Sequence, residues 1–109
     1  MSAGDLAGAE RQLKEVSGSR DQDLASLAKF ALASLYRNSQ RPEPAIQIYK
    51  ELSEHPTRSV SKNAVQLELA SLYEAGQPQE AKRIYEQVQK ENPRGAAGEI
   101  ASGRLQNLK

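Results

Sequence analysis

The 109-residue sequence contains no cysteine and no tryptophan, and it has one histidine. Without cysteine the chain can form neither disulfides nor thiolate metal sites, and it has no thiol nucleophile. A single histidine excludes the paired imidazoles of common zinc sites. No apolar run approaches the roughly 20 residues of a transmembrane helix, and the N-terminus lacks a basic stretch followed by an apolar signal segment. We therefore expect no cofactor and no membrane insertion by this segment, although these absences do not locate it in a compartment.

The chain also lacks an excess of charge of either sign. Its 15 lysines and arginines stand against 14 acidic residues, for a formal net charge of +1. Acids and bases alternate closely, as in Lys50-Glu51 and Lys90-Glu91, which is typical of a solvated helix surface. Sequence-independent binding of nucleic acid needs a local surplus of positive charge. The charge pattern therefore predicts no nucleic-acid partner.

Apolar residues recur at helical spacing along the chain, and no segment of useful length alternates like a strand. The five prolines fall between or at the edges of the periodic segments, where proline is tolerated at a helix start. Gly18 and Gly76 lie where helices are expected to end. The pattern predicts an all-α fold of six helices, over residues 5–16, 21–38, 42–54, 59–75, 78–90 and 95–108.

An internal repeat is the strongest feature of the sequence. Residues 32–36 and 69–73 both read LASLY, 37 positions apart. Each copy is followed by a short polar turn, a helix of the form Ala-x-x-Ile-Tyr and a closing proline. A period of roughly 34–37 residues with two helices per unit indicates a helical solenoid.

These repeated residues resemble the motif of the tetratricopeptide repeat family, in which a small residue, an aromatic, an alanine, a second aromatic and a proline follow in order. Some positions depart from the motif. Gln40 replaces the usual glycine of the turn, and Lys29 and Gln66 replace a usual aromatic. The residues that match are Ala33, Tyr36, Ala45, Tyr49 and Pro56 in one copy, and Ala70, Tyr73, Ala81, Tyr85 and Pro93 in the next.

The resemblance implies antiparallel helix pairs stacked as a right-handed α-solenoid, in which Ala45 and Ala81 lie where paired helices approach closely. We expect a single domain over residues 1–109. It would consist of a partial repeat helix (1–20), two repeats (21–56 and 57–93) and a C-terminal capping helix (94–109). The closing tail is similar to the ends of bacterial envelope proteins of this repeat class.

The resemblance further implies a protein–protein interaction module without enzymatic activity, a scaffold segment of a larger bacterial protein that binds a peptide or helix in a concave groove. Phe30 and Leu67 replace the lysine with which some relatives clamp a C-terminal carboxylate, so we expect no clamp of that kind. We call the eight positions that would line the groove the groove residues: Leu27, Phe30, Ser34, Arg37, Ala64, Leu67, Ser71 and Glu74.

The sequence also contains polar residues that could suggest catalysis, and it allows functions other than peptide binding. His55 and the pair Asp21 and Asp23 fit helix ends better than catalysis. An RNA-binding helical repeat of similar period is disfavoured by Glu68 and Glu74 on the fourth helix. The alternative function is a purely structural or oligomerisation segment with no separate ligand. The first helix favours a homodimer, because it presents apolar residues that have no preceding partner helix: Leu6, Leu13 and Val16.

Overall fold

The computed structural model describes residues 3–108, which form six α-helices and contain no strand. The predicted all-α fold is confirmed. The largest difference from the predicted bounds is at the fourth helix, which begins at Lys62 rather than at Ser59. The helices are α1 (Ala3–Val16), α2 (Gln22–Asn38), α3 (Pro42–Glu54), α4 (Lys62–Gly76), α5 (Pro78–Glu91) and α6 (Ala96–Asn107).

A closed turn explains the later start of α4. The backbone N–H of Thr57 donates to the carbonyl oxygen of Val60 at 3.1 Å. The Val60 N–H in turn donates to the Thr57 hydroxyl at 3.2 Å. Val60 is buried, so its side chain anchors this turn and the backbone cannot enter a helix before it is complete.

The helix starts follow the local chemistry of the sequence. The carboxylate of Asp21 accepts the backbone N–H of Leu24 at 3.2 Å and so caps α2, as side chains at helix N-termini commonly do. Pro42 and Pro78 open α3 and α5, where a missing N–H costs no helical hydrogen bond. The interpretation of Asp21 as a helix-starting residue is confirmed.

The chain forms two compact units, a first unit that ends at Lys62 and a second that begins at Asn63. In the first unit α2 packs against both α1 and α3. In the second unit α5 packs against α6, and the side chains of Asn63 and Asn92 join α4 to the end of α5 at 3.0 Å. The expectation of a single domain stays a prediction.

The two units bury an equivalent tyrosine and an equivalent alanine. Tyr49 in the first unit and Tyr85 in the second are among the largest side chains that are fully buried. Ala45 and Ala81 have no exposed surface, and each lies one helical turn before its tyrosine. Burial of the aromatic rings supplies much of the apolar area, and the small alanines leave room for a facing helix.

The turn between α2 and α3 contains a residue in an uncommon backbone conformation. Gln40 has a φ of 62°, in the left-handed region that glycine adopts without steric cost. This is the position at which the sequence lacks the usual glycine. Gly76, which ends α4, has no positive φ, so the two turns reach their second helices by different backbone paths.

A polar cluster centred on Glu10 joins α1 to the end of α2 and the turn beyond it. The Tyr36 hydroxyl donates to the Glu10 carboxylate at 2.6 Å. Lys14 and Arg41 lie 3.3 and 3.7 Å from the same carboxylate. The Arg41 guanidinium also stacks over the Tyr36 ring, 4.6 Å from its centroid, in a cation–π arrangement. The Tyr36 hydrogen bond, followed by that of Lys14, holds the pKa of the Glu10 carboxyl below its ordinary value.

We expect acid to loosen the attachment of α1. Because the folded-state pKa of Glu10 is lowered, its contribution is complete above the ordinary value of 4.5 and is lost as the pH falls through the lower folded value. Amide hydrogen exchange in α1, corrected for intrinsic rates, should show protection falling in that range. Glu10→Gln should remove this dependence and lower protection at neutral pH, whereas Glu15→Gln, at an exposed position of α1, should change neither. Equal pH profiles for wild type and Glu10→Gln would show that the cluster does not hold α1.

Candidate functional site

The groove residues of the first unit lie along one side of α2. Leu27 is 48% exposed, whereas Phe30, Ser34 and Arg37 are half-buried. Their spacing of three or four residues keeps them on neighbouring turns of the helix. The structure therefore brings these four residues onto one continuous strip of the first unit.

Tyr49 of α3 supports this strip from beneath. The Phe30 ring meets the Tyr49 ring edge-on, with 5.6 Å between centroids and 66° between planes. The hydroxyls of Ser34 and Tyr49 are 3.2 Å apart and share a hydrogen bond. Because Tyr49 is fully buried, it fixes both side chains from the core. Contacts within the first unit thus order Phe30 and Ser34.

Two further apolar residues extend the exposed surface of α2. Leu24 is 47% exposed and Ala31 is also exposed, so together with Leu27 they recur at helical spacing. Helical periodicity marks apolar positions in the sequence but does not show which of them face solvent. We call Leu24, Leu27, Phe30 and Ala31 the α2 apolar face.

The groove residues of the second unit are less available. Ala64 is exposed, and Leu67, Ser71 and Glu74 are half-buried. The Glu74 carboxylate accepts the Tyr85 hydroxyl at 2.6 Å and lies 3.7 Å from the Arg104 guanidinium. The Glu74 carboxylate therefore already has partners within its own unit.

The two repeats use their equivalent tyrosines differently. In the first unit the Tyr49 hydroxyl meets Ser34, whereas in the second the Tyr85 hydroxyl binds the Glu74 carboxylate. A carboxylate is a stronger acceptor than a hydroxyl. The Tyr85 hydroxyl therefore holds a charged side chain in place, whereas the Tyr49 hydroxyl holds a neutral one. Among the described residues, the strongly exposed leucines lie in the first unit, on the helix that Tyr49 supports.

The part of the chain that the structure describes contains neither a cluster of metal ligands nor a membrane-spanning helix. Over residues 3–108, no group of three or more histidine and acidic side chains has a placement suited to a metal ion. No helix in this range is long and apolar enough to cross a membrane.

Comparison with known families decides what the second helix pair is. The family model of the tetratricopeptide repeat matches residues 64–94, a segment that runs through α4 and α5 to just beyond the end of α5. The chain contains a tetratricopeptide repeat. No curated protein and no solved structure is significantly similar to it.

The match indicates a general function for the matched segment. Tetratricopeptide repeats are protein-interaction modules that bind proteins or peptides, and they are generally not catalytic. The matched segment includes Ala70, Tyr73, Ala81 and Tyr85, four of the residues on which the resemblance was based. The recognition of the repeat from the sequence is confirmed.

Gln66 occupies a position at which the family usually has an aromatic. It is 6% exposed, and its side-chain oxygen Oε1 is buried without a hydrogen-bond partner among the described residues. A buried acceptor that has lost its hydrogen bonds to water and gained none within the protein lowers the free energy of unfolding. The sequence showed the departure from the motif, but not that the amide oxygen would be left unsatisfied.

We expect Gln66→Leu to stabilise the protein by about 1 kcal/mol, because leucine removes the unsatisfied acceptor and keeps a side chain of similar volume. Urea unfolding at fixed pH measures the change. Gln79→Leu is the matched control, since Gln79 is exposed on α5 and its replacement should leave stability within about 0.5 kcal/mol. A loss of stability in Gln66→Leu would mean that the amide makes a contact worth more than its burial costs.

Proposed function

We propose that this chain is a protein-interaction module whose first unit binds a peptide or helix of a partner protein along α2, as a scaffold segment of a larger bacterial protein. The observation that carries the proposal is the α2 apolar face. Leu24 and Leu27 lie one helical turn apart and each exposes nearly half of its surface. Exposed leucines that cluster, unlike single ones, mark interaction sites.

The proposed ligand is an amphipathic segment with apolar side chains about one helical turn apart. Such a segment would place its apolar residues against Leu24 and Leu27, in the manner of a helix bound in a groove. Phe30 contributes a partly exposed aromatic ring, and Ser34 a hydroxyl, both held by Tyr49. A rigid aromatic with polar groups at the rim is the usual composition of an interface centre.

The test uses peptides selected for binding. A random peptide library is panned against the immobilised chain, and recovered peptides are titrated by calorimetry. Peptides with paired apolar residues should be enriched, and Leu27→Asp should weaken their binding about tenfold or more, since burial of a leucine is worth about 1.5–3 kcal/mol. Because Leu27 is exposed, the variant should fold as the wild type does.

Ile100→Asp provides the matched control. Ile100 is 53% exposed on α6, so the same change in chemistry is made at an equally exposed apolar residue outside the α2 apolar face. Its affinity for the recovered peptides should stay within about twofold of wild type. Equal losses in both variants, or no enrichment of apolar pairs, would contradict the proposed surface.

Self-association is the second candidate function, and Val16 is the observation that favours it. Val16 is 38% exposed, whereas its repeat counterparts Leu52 and Val88 are buried. A second copy that covers α1, including by exchange of α1, would bury this side chain. Sedimentation equilibrium should then show a dimer that Val16→Glu dissociates and Ile100→Glu does not. A chain that stays monomeric at millimolar concentration removes this function and leaves the peptide-binding proposal intact.

A further inference from the structure

The first unit contains a cavity of about 350 Å³ on the side of α2 away from the α2 apolar face. It is open to solvent on one side and is lined by the α1–α2 connection, the first half of α2, the end of α3 and the segment that follows α3. This volume is near the lower end of the roughly 300–1,000 Å³ typical of pockets for small organic molecules. The residues on α2 that line it recur at helical spacing: Gln22, Ala25, Ser26 and Lys29.

Lys29 accounts for the space. It occupies the first-unit position at which the repeat family usually has an aromatic, and its ammonium turns to the Glu51 carboxylate at 2.8 Å. A straight aliphatic chain that ends in an ion pair fills less volume between helices than a ring. The first repeat therefore has a cavity beside Lys29, where the second has the buried amide of Gln66.

Several hydrogen-bond donors line the cavity. The Ser19 hydroxyl oxygen accepts the Asp21 N–H at 3.1 Å, and the Thr57 hydroxyl oxygen accepts the Val60 N–H at 3.2 Å. Each hydroxyl keeps its hydrogen for donation. The Lys29 ammonium has three N–H donors, of which the bond to Glu51 uses one.

Ser26 adds a donor that is almost enclosed. It is 7% exposed, it lines the cavity, and its hydroxyl has no hydrogen-bond partner among the described residues. An unpaired hydroxyl beside a cavity is therefore a group that a bound molecule can satisfy.

The floor of the cavity is apolar. Ala25 and Leu52 both line it and are both buried. A molecule that fills the space would place a hydrocarbon body on these two residues and an acceptor-rich end toward Ser26 and Lys29. Because the Glu51 carboxylate lies beside the Lys29 ammonium, it repels a doubly charged acceptor group more strongly than a singly charged one.

We propose that this cavity binds a small organic carboxylate with an apolar body. The carboxylate accepts hydrogen bonds from the Ser26 hydroxyl and from the remaining N–H groups of Lys29, which then bridges the ligand and Glu51. The apolar body covers Ala25 and Leu52. This site is independent of the proposed peptide surface, because the two lie on roughly opposite sides of α2.

Benzoate is the probe, and benzamide is its neutral isostere. Each is titrated into the ¹⁵N-labelled chain at constant ionic strength, and amide shifts are followed by NMR. Benzoate should produce saturable shifts at the end of the α1–α2 connection and around Ser26 and Lys29. Benzamide should bind about tenfold more weakly, because a hydrogen bond to a charged group is worth about 1.5–3 kcal/mol. Inorganic phosphate should produce no saturable shifts at these residues.

Lys29→Met keeps an unbranched side chain and removes the charge, so it should weaken benzoate about tenfold or more. Ser26→Ala should weaken it severalfold with little effect on packing. Lys82→Met, at an exposed lysine of α5, makes the same change outside the cavity and should leave affinity unchanged. Three results would each overturn the proposal: no saturable shift with benzoate, equal affinity for benzamide, or equal affinity in Lys29→Met and Lys82→Met.

Discussion

Gly98→Ala is expected to detach α6 from the second unit and to destabilise that unit by about 3 kcal/mol. Gly98 is buried on α6, and an added Cβ would overlap the backbone carbonyl oxygen of Asn92 at the end of α5. A flexible side chain could move aside, but a backbone carbonyl that ends a helix cannot. Relief therefore requires α6 to shift away from α5. Urea unfolding, with amide exchange in α6 as a local probe, measures both effects.

Gly103→Ala provides the control within the same helix. A Cβ at Gly103 would meet no atom within 4 Å, so only helix propensity changes. Alanine is favoured over glycine inside a helix by about 1 kcal/mol, and this variant should therefore be more stable than wild type. If Gly98→Ala also gains stability, α6 does not depend on close approach to Asn92.

Ala45→Leu and Ala81→Leu should each destabilise the protein by about 1–3 kcal/mol, because both alanines have no exposed surface and a larger side chain must push the packed helices apart. Alanine and leucine are both strong helix formers, so propensity explains little of the loss. Chemical unfolding of both variants measures it. The two variants should lose similar amounts of stability, since the two alanines occupy the same position in successive repeats.

Ala75→Leu is the control for these substitutions. Ala75 is exposed near the end of α4, so the same enlargement adds volume where nothing restricts it, and stability should stay within about 0.5 kcal/mol of wild type. If Ala45→Leu and Ala81→Leu also stay within that limit, the two alanines do not mark close helix contacts.

Most of the fold could be predicted because its signals are local. Prolines at the starts of α3 and α5 and the cap at Asp21 depend on neighbouring backbone groups, which the sequence specifies directly. The repeated LASLY segment also identified which helices are equivalent. The start of α4 was misplaced because it depends on the burial of Val60, a contact made by tertiary packing and invisible to periodicity.

The candidate site could be predicted only in part, for the same reason. The family motif led to Leu27 and Phe30, and the structure places Leu27 at the surface and Phe30 against Tyr49. The motif gave no indication that Tyr85 and Arg104 would contact Glu74. Contacts between side chains on different helices depend on rotamers and helix separation, which one sequence does not encode in a readable pattern.

The left-handed conformation of Gln40 has a consequence for how mutations are tolerated in the two turns. In a saturation-mutagenesis screen for folded protein, position 40 should be enriched in glycine and asparagine and depleted of valine and isoleucine, because β-branched residues are strongly disfavoured at positive φ. Gly76 has neither a positive φ nor an atom within 4 Å of an added Cβ, so many residues should be accepted there. The chain carries glycine at the turn that does not require it and glutamine at the turn that favours it, so a family consensus with glycine in this turn would agree with the preference at position 40 and not with the tolerance of position 76.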